Sequence, residues 1–282
     1  MSDTPERQET APQTVAQPGR PLGGQHLPRV LTWRTAQNSA AYLLPHLRAG
    51  QTVLDVGSGP GTLTLDLARR VAPGIVIGVD ADSEQVEQAR GLADDEGVTT
   101  VQFLRGDVSD LPALDASVDV VHAHQVLQHV ADPVASLREM RRVLRPGGIL
   151  AARDADYVAA AWYPKLPGLA AWREVYRAVQ EFTGGVPDAG RALKAWARLA
   201  GFDEVRCSAS MWCFASPAER EWWGLSWSER MLDPDFAAIA IESGAAGLAD
   251  LRGMSDAWAH WAADPDGWFG LPHGEIIAVR TG

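Results

Sequence analysis

The sequence predicts a doubly wound α/β fold: a parallel sheet with helices on both faces and a helical insert before the last strand. Three observations predict it. From Thr52 onward, short β-branched runs alternate with segments of helical length and periodicity, the pattern of strands covered on both sides by helices. A glycine-rich turn, Gly57-Ser58-Gly59-Pro60-Gly61, joins the first of these runs to the first helical segment. After Val205 the alternation gives way to amphipathic segments crowded with tryptophan, and a strand-like run from Gly274 to Arg280 closes the chain.

Taken in order, residues 1–24 are rich in Pro, Gln, Thr and Glu, cannot bury enough apolar surface to order themselves, and read as a disordered tail. Residues 25–50 read as an N-terminal cover, with an amphipathic helix from Leu31 to Leu47 that turns Ala40, Leu43, Leu44 and Leu47 inward. The sheet core, 51–153, holds five expected strands: Val53–Val56, Ile75–Val79, Val101–Leu104, Val118–His122 and Ile149–Arg153. Its clearest helix runs from Asp132 to Arg145. There Asp132 can cap, Pro133 suits the first helical position, Leu137, Met140 and Leu144 form one stripe, and Pro146-Gly147 stops it.

Residues 154–210 carry a helix from Leu169 to Phe182, another from Ala192 to Leu199 ended by Gly201, and a sixth strand containing Val205. A tryptophan-rich helical insert over 211–270 follows, expected as a lid or wall over the acceptor site. Ser216-Pro217-Ala218-Glu219 has the form of a capping box opening a helix with Trp223, Trp227 and Met231, and Leu251, Met254, Trp258 and Trp261 make a second stripe. Asp264-Pro265-Asp266-Gly267 reads as a turn before the last strand, 271–282.

Composition narrows the function. With 36 Asp plus Glu against 25 Lys plus Arg, the chain is poorly suited to a polyphosphate backbone, so no nucleic-acid partner is expected. Cys207 and Cys213 are too few for a disulfide framework and wrongly spaced for zinc, so they read as reduced core or surface residues and no metal is expected. The opening has no apolar core or basic start of a secretion signal, and no run reaches membrane-spanning length; a cytoplasmic protein without a membrane partner is the expectation.

A strand, glycine turn and helix at the start of such a sheet suits dinucleotides or S-adenosylmethionine. The dinucleotide turn places a pyrophosphate at the helix N-terminus. Here Asp55 precedes the glycines, useful toward an ammonium group and unfavourable beside a pyrophosphate.

The run VLDVGSGPG resembles the first motif of class I S-adenosylmethionine-dependent methyltransferases, and four further segments match in order: GVDADSE, RGDVSDLP, VDVVHAHQVLQHVADP and RVLRPGGIL. The match covers roughly Gly50 to Arg153 and is most similar to the small-molecule branch of quinone-biosynthesis and natural-product enzymes. The Asn-Pro-Pro-aromatic motif of many nucleobase amino-methyltransferases is missing.

The resemblance implies a Rossmann-like methyltransferase domain over 25–282 and S-adenosyl-L-methionine as cofactor. It implies that Asp55, Gly57, Ser58, Gly59 and Gly61 form the cofactor loop, and that Asp80, 23 positions past Gly57, accepts both ribose hydroxyls with Ala81 beside it. Gly106, Asp107 and Val108 correspond to the adenine segment, with Asp107 accepting from the exocyclic amine. His124, Gln125 and His129 follow the fourth strand, against the sulfonium and acceptor. His124 is the less constrained candidate base, and His129, in a Leu-x-His element, either orients the loop or removes a proton. His122, flanked by the apolar Val121, reads as a satisfied core or surface histidine.

Trp33 and Arg34 could touch the methionine part of the cofactor, Arg34 by pairing its carboxylate, although a plain core-packing helix is the simpler reading of the segment. Asp154, Asp156 and Tyr157 either face the acceptor or form a polar strand end. Ten of the eleven tryptophans follow Trp33, all beyond the motif span, and Trp223 and Trp227 stand for the aromatic surface expected on the acceptor side. The resulting expectation is methyl transfer from S-adenosylmethionine to an oxygen or carbon, less readily a nitrogen, of a small, partly apolar metabolite. The alternatives are an NAD(P)-dependent oxidoreductase and a non-methylating S-adenosylmethionine-binding protein.

Overall fold

The computed structural model describes residues 33–282. The expected tail over 1–24 and the start of the N-terminal cover lie outside the described residues. One eight-stranded sheet organises the rest. Its strands are β1 (Thr52–Val56), β2 (Ile75–Asp80), β3 (Val101–Arg105), β4 (Val118–His124), β5 (Leu144–Ala155), β6 (Ala161–Tyr163), β7 (Glu204–Phe214) and β8 (Trp268–Val279). The order runs β3-β2-β1-β4-β5-β8, with β7 on the far side of β8 and the short β6 continuing the β5 edge. β1 to β5 pair in parallel, as the alternating pattern predicts.

The last strand departs from the parallel pattern of β1 to β5. β8 runs antiparallel to both β5 and β7, because it returns from the insert as the second arm of a hairpin begun by β7. Trp212 and Trp268, assigned to the insert by sequence, therefore belong to the strands.

The helices are α1 (Ala36–Ser39), α2 (Thr62–Val71), α3 (Ser83–Asp95), α4 (Pro133–Val143), α5 (Pro167–Phe182), α6 (Ala189–Leu199), α7 (Pro217–Met231), α8 (Pro234–Glu242) and α9 (Leu248–Ala263). The caps behave as their residue types dictate. Asp132 accepts from Ala135 N at 2.9 Å with Pro133 at the first position of α4, and Ser216 and Glu219 form the reciprocal box that opens α7. The expected N-terminal helix is corrected: among its described residues only α1 and a 3-10 turn, Leu44–His46, are helical. Pro45 cannot donate to a preceding carbonyl, and the chain leaves the helix at Ala40. The inward face survives in irregular form, with Ala40 and Leu43 fully buried and Leu47 nearly so. α8 and β6 have no counterpart among the sequence expectations.

Strand alternation sends opposite sets of side chains to the two faces. Leu54, Val121, Leu150 and Ile276 meet α4 and α6 through Leu137, Met140, Leu193 and Ala197. Val53, Val76, Val120 and Ala151 meet α2 and the segment containing Ala40 and Leu43. A third core joins α5 to the insert: Trp172, Trp223, Trp227, Trp258 and Trp261 pack with Tyr176, Phe214 and Phe269. Trp172 lies edge-on to Trp227 and Trp258, with centroids 4.7 and 4.9 Å apart, and Phe214 stacks on Trp223 at 4.1 Å. Among the described residues no helix is long and apolar enough to cross a membrane.

Candidate active site

The glycine turn joins β1 to α2 and adopts a conformation that its sequence permits. Gly57, Gly59 and Gly61 have φ of 69°, 53° and 89°, left-handed values that L side chains rarely adopt. At Gly61 a side chain would also meet Phe103 and Ala89 at 2.8 and 2.9 Å. The turn is tied to β2, since Gly57 N and Ser58 N both donate to Val79 O and Gly59 N donates to Asp80 Oδ2 at 2.8 Å. Asp80 Oδ1 accepts from Asp82 N at 3.0 Å, so each carboxylate oxygen holds one backbone N–H and keeps acceptor capacity. Burial raises its pKa against the two backbone bonds that lower it.

Ala81 follows at the exposed strand end. After β3, Gly106 and Val108 are half-buried and Asp107 is exposed, its Oδ1 held by Ser109 Oγ and N at 2.6 and 2.8 Å. Those bonds, the hydroxyl first, lower the Asp107 pKa. A glycine lets the chain turn there, because a Cβ on Gly106 would lie 2.9 Å from Pro112 and Val79.

A narrow cleft opens on the glycine turn, lined in part by Arg34, Asp55, Ser58, Gly59 and His124. Asp55 is 2% exposed; Oδ2 accepts from Thr64 Oγ1 at 2.6 Å and Oδ1 from His122 Nδ1 at 2.7 Å, so His122 carries its proton on Nδ1. His122 is thus a core histidine held at Nδ1, while its Nε2 is buried without a partner. The lone motif carboxylate is a pair, which periodicity could not reveal because the partner comes from β4, two strands of sequence away.

His124 ends β4, 3% exposed, and neither ring nitrogen has a hydrogen-bond partner. Burial first, then the charges of Arg34 and Arg153, hold it well below the usual histidine range. Gln125 follows at φ 55°, a strained value for a residue with a Cβ, held by Gln125 N donating to Arg153 O at 2.7 Å. Its side chain accepts from Arg34 Nη2 and donates to His273 Nε2 at 2.9 Å, while His273 Nδ1 donates to Leu271 O at 3.0 Å. His273 is therefore neutral and fixed in tautomer, with burial, then Arg153, depressing its pKa. Burial, reinforced by the Arg153 charge, lowers Arg34 to about 10. Trp33 packs edge-on to Trp212 at 5.1 Å.

The remaining expected residues sit elsewhere. His129 Nε2 accepts from Gln128 Nε2 at 3.0 Å, and burial lowers its pKa to about 4. Asp154 is fully buried on the opposite sheet face and caps the turn before His129 by accepting from Gln128 N at 3.1 Å; burial pushes its pKa up to about 7. Asp156 forms a two-pronged pair with Arg191 at 2.6 and 2.8 Å. Tyr157 packs on Tyr176 at 4.5 Å and near Trp227, and burial raises its pKa. Trp223 and Trp227, 2% and 4% exposed, lie inside the aromatic core and line neither this cleft nor the wider one described below.

Sequence reasoning passed over Thr64, His273 and a buried Arg153–Glu275 pair. Arg153 closes an expected strand, so a strand-final arginine between Ala152 and Asp154 was the one available signal.

The residues present fit S-adenosylmethionine. Beside the left-handed glycines, buried polar atoms without partners cluster on the cleft: Arg34 Nε, Ser58 Oγ and both nitrogens of His124.

A family model described as a methyltransferase domain matches residues 47–201. An uncharacterised methyltransferase of Schizosaccharomyces pombe is 33% identical over 254 residues, covering 87% of this chain and 90% of that protein. A probable methyltransferase of Aspergillus luteorubrus is 30% identical over 88% of this chain and 92% of its own length. A ubiquinone/menaquinone biosynthesis C-methyltransferase of Bdellovibrio bacteriovorus is 39% identical, over 36% of this chain and 43% of its own. Among solved structures, the Bacillus subtilis YcgJ protein superposes with a TM-score of 0.59 at 21% identity, covering 87% of this chain and 99% of that one, a likeness of fold.

Proposed function

Because the chain belongs to the class I S-adenosylmethionine-dependent methyltransferases, we propose that it methylates an oxygen or carbon, rather than a nitrogen, of a small, partly apolar metabolite. Membership leaves no place for the nicotinamide alternative. When bound, S-adenosylmethionine supplies a methyl group already activated on sulfur. What the chain adds is alignment, exclusion of water and, where the acceptor must be deprotonated, a base.

The observation that carries the reading is His124: a neutral imidazole with two unengaged nitrogens on the cleft of the glycine turn. A neutral histidine can take a proton from a phenol, enol or similar acid. An amine that is already neutral needs no such group. Asp80 and Ala81 would hold the ribose, Gly106, Asp107 and Val108 the adenine, and Trp33 and Arg34 the amino-acid end. Asp55 and His122 would fix the floor, with Gln125 and His129 setting the turn that carries His124. Asp154 and Tyr157, and with them the insert over 211–270 with Trp223 and Trp227, would shape the acceptor side indirectly, as the packed wall behind it. The kinship with a C-methyltransferase supports a carbon acceptor as readily as an oxygen.

The test is incubation of the purified protein with S-adenosylmethionine and separate panels of phenols, enols and amines, read by mass spectrometry. Methylated phenols or enols are expected. Methylation confined to amines would overturn the reading.

A further inference from the structure

Beyond the glycine-turn cleft lies a second one, of about 290 Å³, lined among others by Trp33, Gln37, Arg153, Ser210, Met211 and Trp212. Its size approaches that of small-ligand pockets. The two clefts are neighbours. Trp33 lines one and Arg34 the other, and the ring of His124, on the first, is 5.4 Å from that of Trp212, on the second.

Arg153 is unusual in this setting. It projects from the sheet face that carries Asp55 and His124, and it is 1% exposed. Its charge is compensated by Glu275, but the contact is a single one, Nε to Oε1 at 3.3 Å, instead of the two-pronged pair that arginine and carboxylate favour. Glu275 is otherwise occupied, accepting from Ser210 Oγ at 2.5 Å and Ser208 Oγ at 2.7 Å. Arg153 Nη2 donates to Ser210 Oγ at 3.0 Å, while Nη1 is buried with no partner. The Tyr42 hydroxyl, within the field of the Arg153 charge, is also buried and unpartnered. A buried donor left unpaired is costly. The unpaired groups here are donors or can act as donors, so the missing partner is rich in acceptors. The walls add a flat aromatic surface, since Trp33 and Trp212 meet at 86° to form a corner, and the Arg153 guanidinium lies 5.0 Å from the Trp212 ring centroid.

We propose that this second cleft is the acceptor-recognition site, and that it takes a planar aromatic molecule bearing a carboxylate, the carboxylate on Arg153 and the ring in the Trp33–Trp212 corner. The proposal rests on the methyl-transfer reading and narrows its substrate class from partly apolar metabolites to aromatic acids. Trp212 and His124 then stand between the anchoring point and the cofactor loop.

The test uses the full chain saturated with S-adenosylhomocysteine, whose own binding is measured first by calorimetry. Benzoate and salicylate are titrated against the neutral counterpart benzamide. Benzoate is expected to bind at least about tenfold more tightly than benzamide. Arg153→Gln should remove that preference while leaving benzamide unaffected. Because Arg153→Gln strands Glu275, the double variant Arg153→Gln/Glu275→Gln is tested in parallel. Met211→Trp, at a half-exposed position on the cleft, gives a third arm that touches no buried charge and should block both probes.

Equal binding of benzoate and benzamide by the wild type, or undiminished benzoate binding in Met211→Trp, overturns the proposal. The two readings fail separately. Methylation of neutral phenols with no carboxylate preference rejects this site alone, and carboxylate binding with methylation only of amines rejects the oxygen-or-carbon reading alone.

Discussion

Replacing Asp80 with Asn examines the cofactor loop at its tightest joint. Both carboxylate oxygens accept from backbone, Oδ2 from Gly59 N at 2.8 Å and Oδ1 from Asp82 N at 3.0 Å. An amide has one acceptor oxygen, so in either orientation an NH₂ faces a backbone N–H. Leaving that donor unpaired costs about 1–3 kcal/mol of folding stability. On the proposed ribose role of Asp80, the hydroxyl on the amide side also loses a charge-assisted acceptor, about 1.5–3 kcal/mol, or roughly 10- to 150-fold in affinity. Asp80→Asn should therefore lose stability and affinity together, a double effect that a residue touching only the ligand would not produce. Urea unfolding and calorimetric titration with S-adenosylhomocysteine measure the two. Affinity within about threefold of wild type, from a protein that unfolds at the same urea concentration, would refute both the ribose role and the strut between turn and strand. Because burial raises the Asp80 pKa, cofactor affinity should fall as the pH drops through that raised value, and Asp80→Asn should abolish the dependence.

Three further outcomes are expected. His124→Ala should lower kcat by about 10²–10⁴ on an acceptor that needs deprotonation while leaving S-adenosylhomocysteine affinity nearly unchanged; since the group is held well below the usual histidine range, the fall in rate on acidification should begin below that range, and a His124-dependent limb at an ordinary histidine pKa would contradict the assignment. Asp154, raised from 3.8 to about 7, keeps in the folded state a proton that the unfolded chain has lost. Its contribution to stability therefore declines as pH rises through that window, by up to about 1.4 kcal/mol per unit, and urea unfolding across it should show a flatter slope in Asp154→Asn. Trp258→Ala should cost about 3–5 kcal/mol by hollowing the aromatic core; an equal loss of cofactor affinity in the folded protein would show that the core reaches the site directly.

The parts legible in the sequence are those decided by near neighbours. The Asp132-Pro133 start of α4, the Ser216–Glu219 box of α7 and the glycine turn are local chemistry, and each is found where its residues dictate. Interactions between distant strands left no such mark. The Asp55–His122 pair, the Gln125–His273 bond and the Arg153–Glu275 pair join residues 67, 148 and 122 positions apart, and each required the sheet order before it could be seen. The antiparallel return of β8 leaves no mark for a similar reason: its residues alternate as they would in either direction, and only the hairpin with β7 decides which. At the N-terminus periodicity was right about the buried face and wrong about the helix, because burial of Ala40 and Leu43 needs their spacing and not continuous hydrogen bonding.

The hairpin also bears on how this chain could be diversified. Phe214 and Phe269 are register partners, so the excursion from 215 to 267 leaves and re-enters the sheet at the end of one ladder. Its ends are already held together by strand pairing, and exchanging it for a shorter or longer segment adds little closure entropy. Such grafts meet their constraint at α5, whose Trp172 is sealed by Trp227 and Trp258. A replacement must bring its own aromatic plug for that socket. Chimeras designed to keep those contacts and vary everything outward of them offer a route to altered wall shape with the glycine turn undisturbed.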